Sequence, residues 1–554
     1  MNPIIECVPN FSEGRDLRIL DAISAAISST EGVRLLHRDP GKATNRTVYT
    51  FVGHPEAVVE AAFKAISVAG RLIDMRQHQG EHARMGATDV CPFVPVANAT
   101  MDDCIACARK LGERVGRELN IPVYLYESAA TKPARKNLAT IRAGEYEGIE
   151  KKLKDPEWQP DFGPATFNPL TGNCIIGARD FLVAFNVNLN TTSVRRANSI
   201  AFDVRENGRV DPSGAKDAQG EPLRVSGMCK SVKAIGWYIE EYGIAQVSMN
   251  LTNIRETPVH TAFDACVTSA ANRGMRVTGS ELVGLIPLEC LLDAGRYFLE
   301  KQQRSTGVSE EELIRIAVKS MGLDDLAPFN PEDKIIEYKL GRRKGKLVGM
   351  DLRDFANETA SESPAPGGGS IAAYCGALGV SLATMVANLS SHKKGWDARW
   401  KEFSEHAQTG QRLKDQLLYL VDEDTAAFNR IMDAFGLPKA TPEEKAARKK
   451  AIQDATVYAI EVPFRVMQLS FESMTLIKAM AETGNPNSVS DAGVGALCAR
   501  TAVFGAFLNV QINASGLDDK QLAAEKIAAG QRIADAAQQL ENEILQIVAS
   551  KINA

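Results

Sequence analysis

The sequence predicts a multidomain protein in which two α/β subdomains of the split βαβ, ferredoxin-like kind precede an all-α helical bundle. Three observations lead to this fold class. Strand and helix patterns alternate over residues 1–180, the same order returns over residues 181–326, and Ala-rich helical periodicity replaces the strand patterns after Met350. The chain of 554 residues is also too long for a single hydrophobic core. We therefore predict domains at residues 1–180, 181–326 and 349–554, with a linker at 327–348.

The first subdomain is predicted from short β-branched or aromatic segments that alternate with amphipathic ones. The predicted strands are IIECVPNF, VRLLHRD, RTVYTFVG and IPVYLYE. Predicted helices lie around residues 15–29, 55–75 and 101–119. Only PGKATN separates the second and third strands, so the order begins β-α-β-β-α-β, which places the helices on one face of a single sheet.

The second subdomain repeats this order from FLVAFNVNL onward. The helix SVRRANSIAFDVRE is followed by the strands VKAIGWYI and IAQVSMNLTN, which turn at EEYG. A helix from Thr257 to Arg273, a strand at LVGLIP and a helix at LECLLDAGRYFLEK complete it, and Ser309 with Glu312 fits a capping box before a further helix. Two similar α/β halves would place a groove between their sheets, which is a favoured position for a ligand.

The last 200 residues are predicted to be helical. Thr441, Pro442 and Glu444 supply an N-cap, a first-turn proline and a capping-box acid for one helix. The longest uncharged run, from Ser363 to Ser391, is long enough to cross a bilayer. Because it opens with PAPGGGS and consists mainly of Ala, Gly and Ser, we interpret it as a buried helix of a tightly packed bundle.

Bulk composition excludes several classes of protein. The net charge of -5 and the pI near 6.0 argue against a general nucleic-acid binder. Ten cysteines in so long a chain do not form a disulfide scaffold. The N-terminal residues lack the pattern of a secretory signal. We expect a cytoplasmic protein without a membrane span.

Residues 78–90, HQGEHARMGATDV, hold two of the seven histidines four positions apart. His78 and His82 would share a face in a helix, as zinc ligands do, but Gly80 weakens a helix and no third ligand has suitable spacing. A histidine also titrates near neutrality, so it suits proton transfer, with Glu81, Arg84 or Asp89 as neighbours that tune its pKa. The residues alone leave a metal site, a proton-transfer site and a polar loop open.

Two further patterns leave their alternatives open. The glycine loop PAPGGGSIAA (364–373) lacks the lysine of a P-loop, so it is a structural turn or a ligand loop at a helix start. In LVDEDTAAFNRIM, the acids Asp422, Glu423 and Asp424 form a solvated acidic face, or one of them is shielded and has a raised pKa that suits proton donation.

Two other patterns concern the first half. The Gly-Pro-rich segment 163–172 is a plain connection or a ligand clasp. The lone CxxC of Cys104 and Cys107 lies with Leu111 on one helical stripe, which favours core packing.

Ten motifs together resemble one family. The motifs ECVPNFSEG, TNRTVYTFVG, GEHARMGATDVCPF, RAGEYEG, DFGPATFNP, AIGWY, ELVGLIP, LAPF, IIEY and PAPGGGS occur in the order found in the bifunctional formimidoyltransferase-cyclodeaminases of histidine degradation. The resemblance runs from Glu6 to the last helices. One departure is the segment VDPSGAKDAQGEPLRVSG (210–227), which looks longer than the usual loop of the family.

The resemblance implies two consecutive reactions in one-carbon metabolism. The α/β module would act as a transferase that moves the formimidoyl group of N-formimidoyl-L-glutamate to N5 of tetrahydrofolate. The helical module would act as a lyase that closes the ring to 5,10-methenyltetrahydrofolate and releases ammonia. Both leaving nitrogens must be protonated before they depart, which calls for a proton-transfer group in each module.

The resemblance also assigns residues. It implies that His82 is the catalytic group of the transferase and that Asp424 is the proton donor of the cyclodeaminase. Asp39, Asn45 and Arg46 are further candidates for holding carboxylates or the pterin edge. The folate-binding segment of the family matches Gly163, Pro164, Ala165, Thr166, Phe167, Asn168, Pro169, Leu170, Thr171 and Gly172.

For cofactors and partners, the resemblance implies tetrahydrofolate, with or without a polyglutamate tail, as acceptor substrate and no metal. It implies a homo-oligomer, a ring of dimers in the family, in which the intermediate passes between modules by its tail. The basic linker sequence RRKGK (342–346) is a candidate for that passage or simply solvated charge. Two other hypotheses are a chain with one active module and a folate-binding scaffold without activity.

Overall fold

The computed structural model describes residues 3–217, 220–341 and 345–553. They divide into two compact units. The α/β unit comprises the residues up to Ala294 and those from Ala317 to Gly341, and the helical unit comprises Gly295–Ile316 and the residues from Gly345 onward. The predicted fold class is confirmed, since two sheet-containing α/β parts precede a helical part.

The first α/β part contains a seven-stranded mixed sheet with the order β3-β4-β1/β2-β5-β7-β6. Its strands are β1 (Ile4–Cys7), β2 (Asn10–Phe11), β3 (Val33–Gly41), β4 (Arg46–Gly53), β5 (Thr88–Ala97), β6 (Val123–Glu127) and β7 (Cys174–Ala178). Its helices are α1 (Leu17–Ser28), α2 (Pro55–Leu72), α3 (Met101–Glu118), α4 (Leu138–Arg142) and α5 (Ile149–Leu153). Strand β7 pairs in parallel with both β5 and β6, and the remaining pairs are antiparallel.

The two faces of this sheet have opposite character. Alternate side chains of the strands, including Ile5, Phe51 and Phe93, are buried in one core with the apolar stripes of α1, α2 and α3. The predicted packing of Cys104 and Cys107 in this core is confirmed. The intervening side chains point the other way, and many of them are polar. We call this side the polar face, and the polar residues that the strand register places on it are Glu6, Asn10, Arg34, His37, Asp39, Arg46 and Thr50.

The second α/β part contains a four-stranded antiparallel sheet with the order β11-β12-β8-β13. Its strands, with a small separate hairpin of β9 and β10, are β8 (Val183–Leu189), β9 (Arg209–Val210), β10 (Arg224–Val225), β11 (Val232–Ile239), β12 (Ile244–Leu251) and β13 (Val277–Val283). The helices that follow in the chain are α6 (Val194–Val204), α7 (Val259–Ala271), α8 (Leu288–Lys301), α9 (Glu310–Met321), α10 (Pro331–Lys334) and α11 (Ile336–Lys339). The end of α8 and the start of α9 lie in Gly295–Ile316 and so belong to the helical unit.

The two sheets meet within the α/β unit. The Gly284 backbone N–H donates to Asp39 Oδ2 at 2.6 Å, and Lys233 Nζ donates to Asn137 Oδ1 at 3.1 Å. An apolar cluster that includes Val52 and Leu285 lies beside the first of these contacts in the fold. The polar face of the first sheet, to which Asp39 belongs, is therefore turned toward the second α/β part.

The helical unit is built from long helices. They are α12 (Leu352–Thr359), α13 (Gly368–Ser391), α14 (Trp400–Gly436), α15 (Pro442–Thr483), α16 (Val489–Ser515) and α17 (Lys520–Ile552). Helices α13 and α16 approach closely, since a Cβ at Gly379 would lie 2.8 Å from the carbonyl oxygen of Gly495. By length and composition, Gly368–Ser391 and Pro486–Ser515 would each be able to cross a membrane, but 61% and 50% of their apolar windows are buried in the protein.

Several segments differ from expectation or lie outside the described residues. Strand β7 was not predicted, and the last strand of the second sheet lies at Val277–Val283 and not at LVGLIP. Part of the predicted linker, residues 331–339, forms α10 and α11 in the α/β unit. Arg342, Arg343 and Lys344 of RRKGK, and residues 218 and 219 of the long segment 210–227, are outside the described residues.

Candidate functional site

His82 lies in the irregular segment between α2 and β5, half-buried. Its ring Nδ1 is 2.6 Å from the carbonyl oxygen of Ala83. A carbonyl oxygen only accepts, so Nδ1 carries the hydrogen and Nε2 carries the lone pair. The ring is therefore oriented by the backbone and presents a proton acceptor at Nε2.

A buried ion cluster lies beside His82. The fully buried carboxylate of Asp89, at the start of β5, contacts the guanidinium groups of both Arg46 and Arg142. Asp89 Oδ1 also accepts the Met85 backbone N–H at 2.9 Å. Burial alone would raise the pKa of Asp89, but the two arginines hold it well below its usual range.

The same surroundings keep His82 neutral. Burial, Arg46 and Arg142 lower the pKa of His82 to about 3, against the smaller opposing effect of Asp89. Of the three neighbours proposed from the sequence, Asp89 affects the pKa of His82. Arg84 instead pairs with Glu145 and Glu147 at 3.1 and 2.6 Å. A neutral imidazole with a free Nε2 is the form that accepts a proton.

His78 and Asn45 hold the His82 segment in place. His78 Nε2 is 2.8 Å from the Asn45 carbonyl oxygen, so Nε2 donates and His78 is tied to the β3–β4 loop. The Asn45 side chain accepts from the Gly14 N–H at 3.0 Å and donates to the Gln79 carbonyl at 3.0 Å. Across the part of the chain that the structure describes, no three His, Cys, Asp or Glu side chains are placed to hold a metal ion.

The segment 163–172 ends against the His82 segment. The Ala87 N–H donates to the Thr171 carbonyl at 2.8 Å, and Gly172, with φ +63°, lies so close to Met85 that a Cβ would overlap its carbonyl. The earlier part of the segment is more exposed, and the Phe167 ring packs at 5.5 Å between centroids against Tyr146. Two predicted site elements, distant in sequence, are thus neighbours.

Asp39 lies on the polar face but contacts different groups. Its carboxylate accepts the Gly284 N–H and lies 3.7 Å from Lys334 Nζ, so it joins the two sheets. Among the described residues, the Asp39 carboxylate contacts the second α/β part and not the His82 segment. Arg46 does share the cluster beside His82, with Nε donating to Asn10 Oδ1 at 3.1 Å.

In the helical unit, Asp424 lies against the predicted glycine loop. The Ser370 hydroxyl is 3.2 Å from Asp424 Oδ2, and the backbone of Gly369 contacts the same carboxylate. Burial raises the pKa of Asp424 above its ordinary value, and Ser370 opposes this only in part. A carboxyl that is shielded from water and has a raised pKa is suited to donate a proton.

The three consecutive acids of α14 have three different environments. Asp422 accepts the backbone N–H groups of Leu347 and Val348 at 2.8 and 3.2 Å. Glu423 accepts from the Tyr458 hydroxyl and lies 3.2 Å from Arg430. Asp424 alone contacts the glycine loop, because successive helical side chains point about 100° apart.

Four further residues were missed by the sequence analysis. Arg142 on α4, Tyr126 on β6 and Arg179 after β7 reach the polar face, and Asn509 on α16 lies 3.5 Å from the Cβ position of Gly368 in the glycine loop. Gly177 was a usable signal, since a glycine inside a strand marks close approach. The Tyr126 ring lies across Gly177 and leaves no room for a Cβ.

Family models match three consecutive parts of the chain. A model described as "Formiminotransferase domain, N-terminal subdomain" matches residues 4–179, and one described as "Formiminotransferase domain" matches residues 184–341. A third, described as "Formiminotransferase-cyclodeaminase", matches residues 351–532.

Individual relatives match the whole chain or one part of it. A formimidoyltransferase-cyclodeaminase of Rattus norvegicus is 44% identical over 521 residues, which are 94% of each chain. A glutamate formimidoyltransferase of Streptococcus pyogenes serotype M1 is 41% identical over 54% of this chain and 94% of its own. A methenyltetrahydrofolate cyclohydrolase of Methylorubrum extorquens is 38% identical over 36% of this chain and 97% of its own.

Proposed function

The chain belongs to the formimidoyltransferase-cyclodeaminase family, and from that premise we propose that His82 and Asp424 carry its two reactions in separate units. The protein is a bifunctional folate enzyme. It transfers the formimidoyl group from N-formimidoyl-L-glutamate to N5 of tetrahydrofolate, and then cyclises 5-formimidoyltetrahydrofolate to 5,10-methenyltetrahydrofolate with release of ammonia. The observation that carries the assignment is the placement of the two groups: His82 is oriented by the Ala83 carbonyl, and Asp424 lies against Gly369 and Ser370 of the glycine loop, where burial raises its pKa.

His82 suits the transfer step. Attack of N5 on the amidine carbon gives a tetrahedral adduct with a proton on N5, and glutamate departs only when its own nitrogen is protonated. The free Nε2 of His82 takes up the first proton and delivers it to the departing amine. Because the pKa of His82 is low, its cation is a strong acid and gives the proton up readily.

Asp424 suits the cyclisation step. Attack of N10 on the formimidoyl carbon leaves an amino group that departs as ammonia only after protonation. The half-buried Asp424 carboxyl holds a proton at higher pH than an exposed aspartate does, and Ser370 orients it. General acid catalysis of this kind contributes on the order of 10²–10⁴-fold.

The folate of the first step is assigned to the segment 163–172. Phe167 packs on one side against Tyr146 and is half-buried, and the end of the segment touches the His82 segment. A ring stacked on Phe167 would therefore lie near Nε2. Phe167→Ala should raise the KM for tetrahydrofolate about tenfold, as expected for one stacked ring, with the KM for N-formimidoyl-L-glutamate unchanged. Phe63→Ala, on the outer face beside Arg114, is the control.

The division of labour is tested with two variants. His82→Ala should abolish tetrahydrofolate-dependent loss of N-formimidoyl-L-glutamate but spare cyclisation of supplied 5-formimidoyltetrahydrofolate, and Asp424→Asn should do the reverse. Glu423→Gln, one residue away in a different environment, and His54→Ala, exposed on the surface, are the controls. Equal damage to both steps by either variant would refute the assignment. A chain with one active module would perform one step, and a folate-binding scaffold neither.

We propose that the enzyme is a metal-free, cytoplasmic homo-oligomer that accepts polyglutamylated folate. Large apolar side chains on α13 and α16 support self-association, among them Leu378, Leu508 and Ile512, which are 44%, 66% and 69% exposed. Sedimentation of the purified chain should show a species larger than 60 kDa, and Leu508→Glu with Ile512→Glu should reduce its size. Full activity in the presence of a chelator is the expected result for a metal-free enzyme.

A further inference from the structure

One row of side chains across the polar face contains a buried acid, Glu6, and a cation, Arg179. Glu6 of β1 is paired with Val52 on β4 and with Val94 on β5, so the three side chains share a face. Strands β5 and β7 run in parallel with Phe93 opposite Ala178, which places Arg179 beside Val94 in the same row. Glu6 and Arg179 therefore lie on one face with a single strand between them.

Arg179 has no ion-pair partner in residues 3–217, 220–341 and 345–553. One of its nitrogens donates to the Asp180 carbonyl at 2.9 Å, and its positive charge acts to lower the pKa of the buried Tyr126 hydroxyl, which burial raises. Arg46 and Arg142, in contrast, share the carboxylate of Asp89. Arg179 is thus a cation of the polar face whose charge is not neutralised by a contact, although it is half-buried. Such an arginine is suited to bind a carboxylate.

The carboxyl group of Glu6 does not pair with Arg179 in the free protein. It is 3% exposed, and within the described part of the chain it forms neither an ion pair nor a side-chain hydrogen bond. Burial raises the pKa of Glu6 to about 7, with Arg179 lowering it and Glu337 of α11 raising it. The flanking residues of its row on β4 and β5 are valines, and Arg34 of β3 lies beyond Val52 and is exposed. Arg179 and Glu337 are therefore the charges that act on it.

We propose that Arg179 binds a carboxylate of the glutamyl part of N-formimidoyl-L-glutamate, and that protonation of Glu6 keeps this subsite available. The inference rests on the proposed transferase function. An ionised Glu6 cancels the field of Arg179 and repels the substrate carboxylate, whereas the neutral acid does neither. Glu6 does not touch the reacting atoms, so it is a positioning residue.

The linkage has a definite sign. A carboxylate bound at Arg179 stabilises the protonated form of Glu6, so binding takes up protons near pH 7. The affinity for N-formimidoyl-L-glutamate is then full below the pKa of Glu6 and falls as the pH rises through it. A purely structural Glu6 would give no proton uptake.

The test uses the purified full-length enzyme and the KM of each substrate separately. Arg179→Met should raise the KM for N-formimidoyl-L-glutamate about tenfold or more, the change expected on loss of one charge-assisted hydrogen bond, with kcat and the KM for tetrahydrofolate little changed. Arg179→Lys should be intermediate. Arg34→Met is the matched control and should have no effect, because Arg34 lies in the same row but is exposed on the edge strand β3. The KM for tetrahydrofolate with a polyglutamate tail is measured as well, because the tail is the other source of carboxylates for Arg179. A rise in that KM alone in Arg179→Met would assign Arg179 to the tail.

Glu6 is tested by pH. In the wild type the KM for N-formimidoyl-L-glutamate should rise between pH 6 and 8.5, and in Glu6→Gln it should stay at the low-pH value, since glutamine has the shape of the acid and no charge to gain. The proposed subsite is wrong if the wild type transfers the formimidoyl group but Arg179→Met changes neither KM, or only the KM for tetrahydrofolate. That result would leave the proposed function intact. A KM independent of pH in the wild type overturns the role of Glu6. Loss of transfer in the wild type itself is failure of the proposed function.

Discussion

Gly369 lies so close to Asp424 that a methyl group at Gly369 would overlap the Asp424 carboxylate. The absence of a side chain at the start of α13 is therefore what permits the acid to approach the glycine loop. Gly369→Ala should push the carboxylate out of position and lower the rate of cyclodeamination at least tenfold. Tetrahydrofolate-dependent transfer, measured on the same preparation, should be unchanged.

A neighbouring glycine supplies the control for this substitution. Gly367 has ordinary extended backbone, and a Cβ there would meet only the Pro364 carbonyl oxygen, at 4.0 Å. Gly367→Ala should leave both activities intact. Comparable loss in the two variants would mean that the loop, and not its contact with Asp424, is what matters.

Ser370 should set the pH range of the second reaction. Burial raises the pKa of Asp424, and the Ser370 hydroxyl and backbone lower it. Ser370→Ala removes one stabilising donor, so the pKa should rise further. Because the protonated carboxyl is the active form, the alkaline limb of the cyclodeaminase pH–rate profile should move to higher pH. Ser381→Ala, whose hydroxyl bonds only within α13 to Ala377 at 2.6 Å, should leave the limb where it is.

Arg142 should set the acid limb of the first reaction. His82 must be neutral to accept a proton, and burial with Arg46 and Arg142 lowers its pKa to about 3. Arg142→Gln removes one cation and frees Asp89, and both effects raise the pKa of His82. The acid limb of the transferase profile should move toward neutral pH, and the NMR titration of the imidazole should move with it. Arg84→Gln, two residues from His82 but paired with Glu147, should leave the titration of His82 closer to that of the wild type.

Asp89 should be essential to stability as well as to the site. Asp89→Asn leaves two buried guanidinium groups without a carboxylate, which costs about 3–5 kcal/mol for a buried pair broken on one side. The unfolding transition of the α/β unit in urea should shift accordingly. Asp74→Asn, in the exposed pair with Arg76, should shift it little. Because the folded pKa of Asp89 is depressed, this stabilisation is present above about pH 4 and is lost as the pH falls below that.

Much of the fold follows from local pattern. The alternation of β4 and the matching helical stripes of α1 to α3 predicted one buried face and its helices. Strand β7 was missed because it is short and follows a segment rich in Gly and Pro. The last strand of the second sheet was misplaced because its polar residues Ser280 and Glu281 look like a loop. Glu281 accepts from Asn186 and Gln246 across the sheet, and these partners are far away in sequence.

The sites were predicted less completely, since their chemistry depends on tertiary neighbours. His82 and Asp424 entered through resemblance, whereas spacing alone left a metal site, a loop and an acidic surface open. The three acids of α14 are indistinguishable in sequence. They differ because their side chains leave the helix in three directions and contact Leu347, Tyr458 and Ser370 respectively. The cation beside His82 supplied by Arg142 comes from a helix 60 residues later in the chain, counted from residue 82 to 142.

The helical unit includes residues 295–316, which precede the rest of it by about 30 positions, so the chain enters this unit twice. Ser404 on α14 donates to or accepts from Thr306, and Asn388 on α13 donates to the Gly307 carbonyl at 2.9 Å. An expression fragment that starts at Gly345 would leave these partners behind and bare the side of α13 and α14 that they cover. Anyone wishing to prepare the cyclodeaminase half alone should graft Gly295–Ile316 back, or supply it as a separate peptide, before judging whether that half is active.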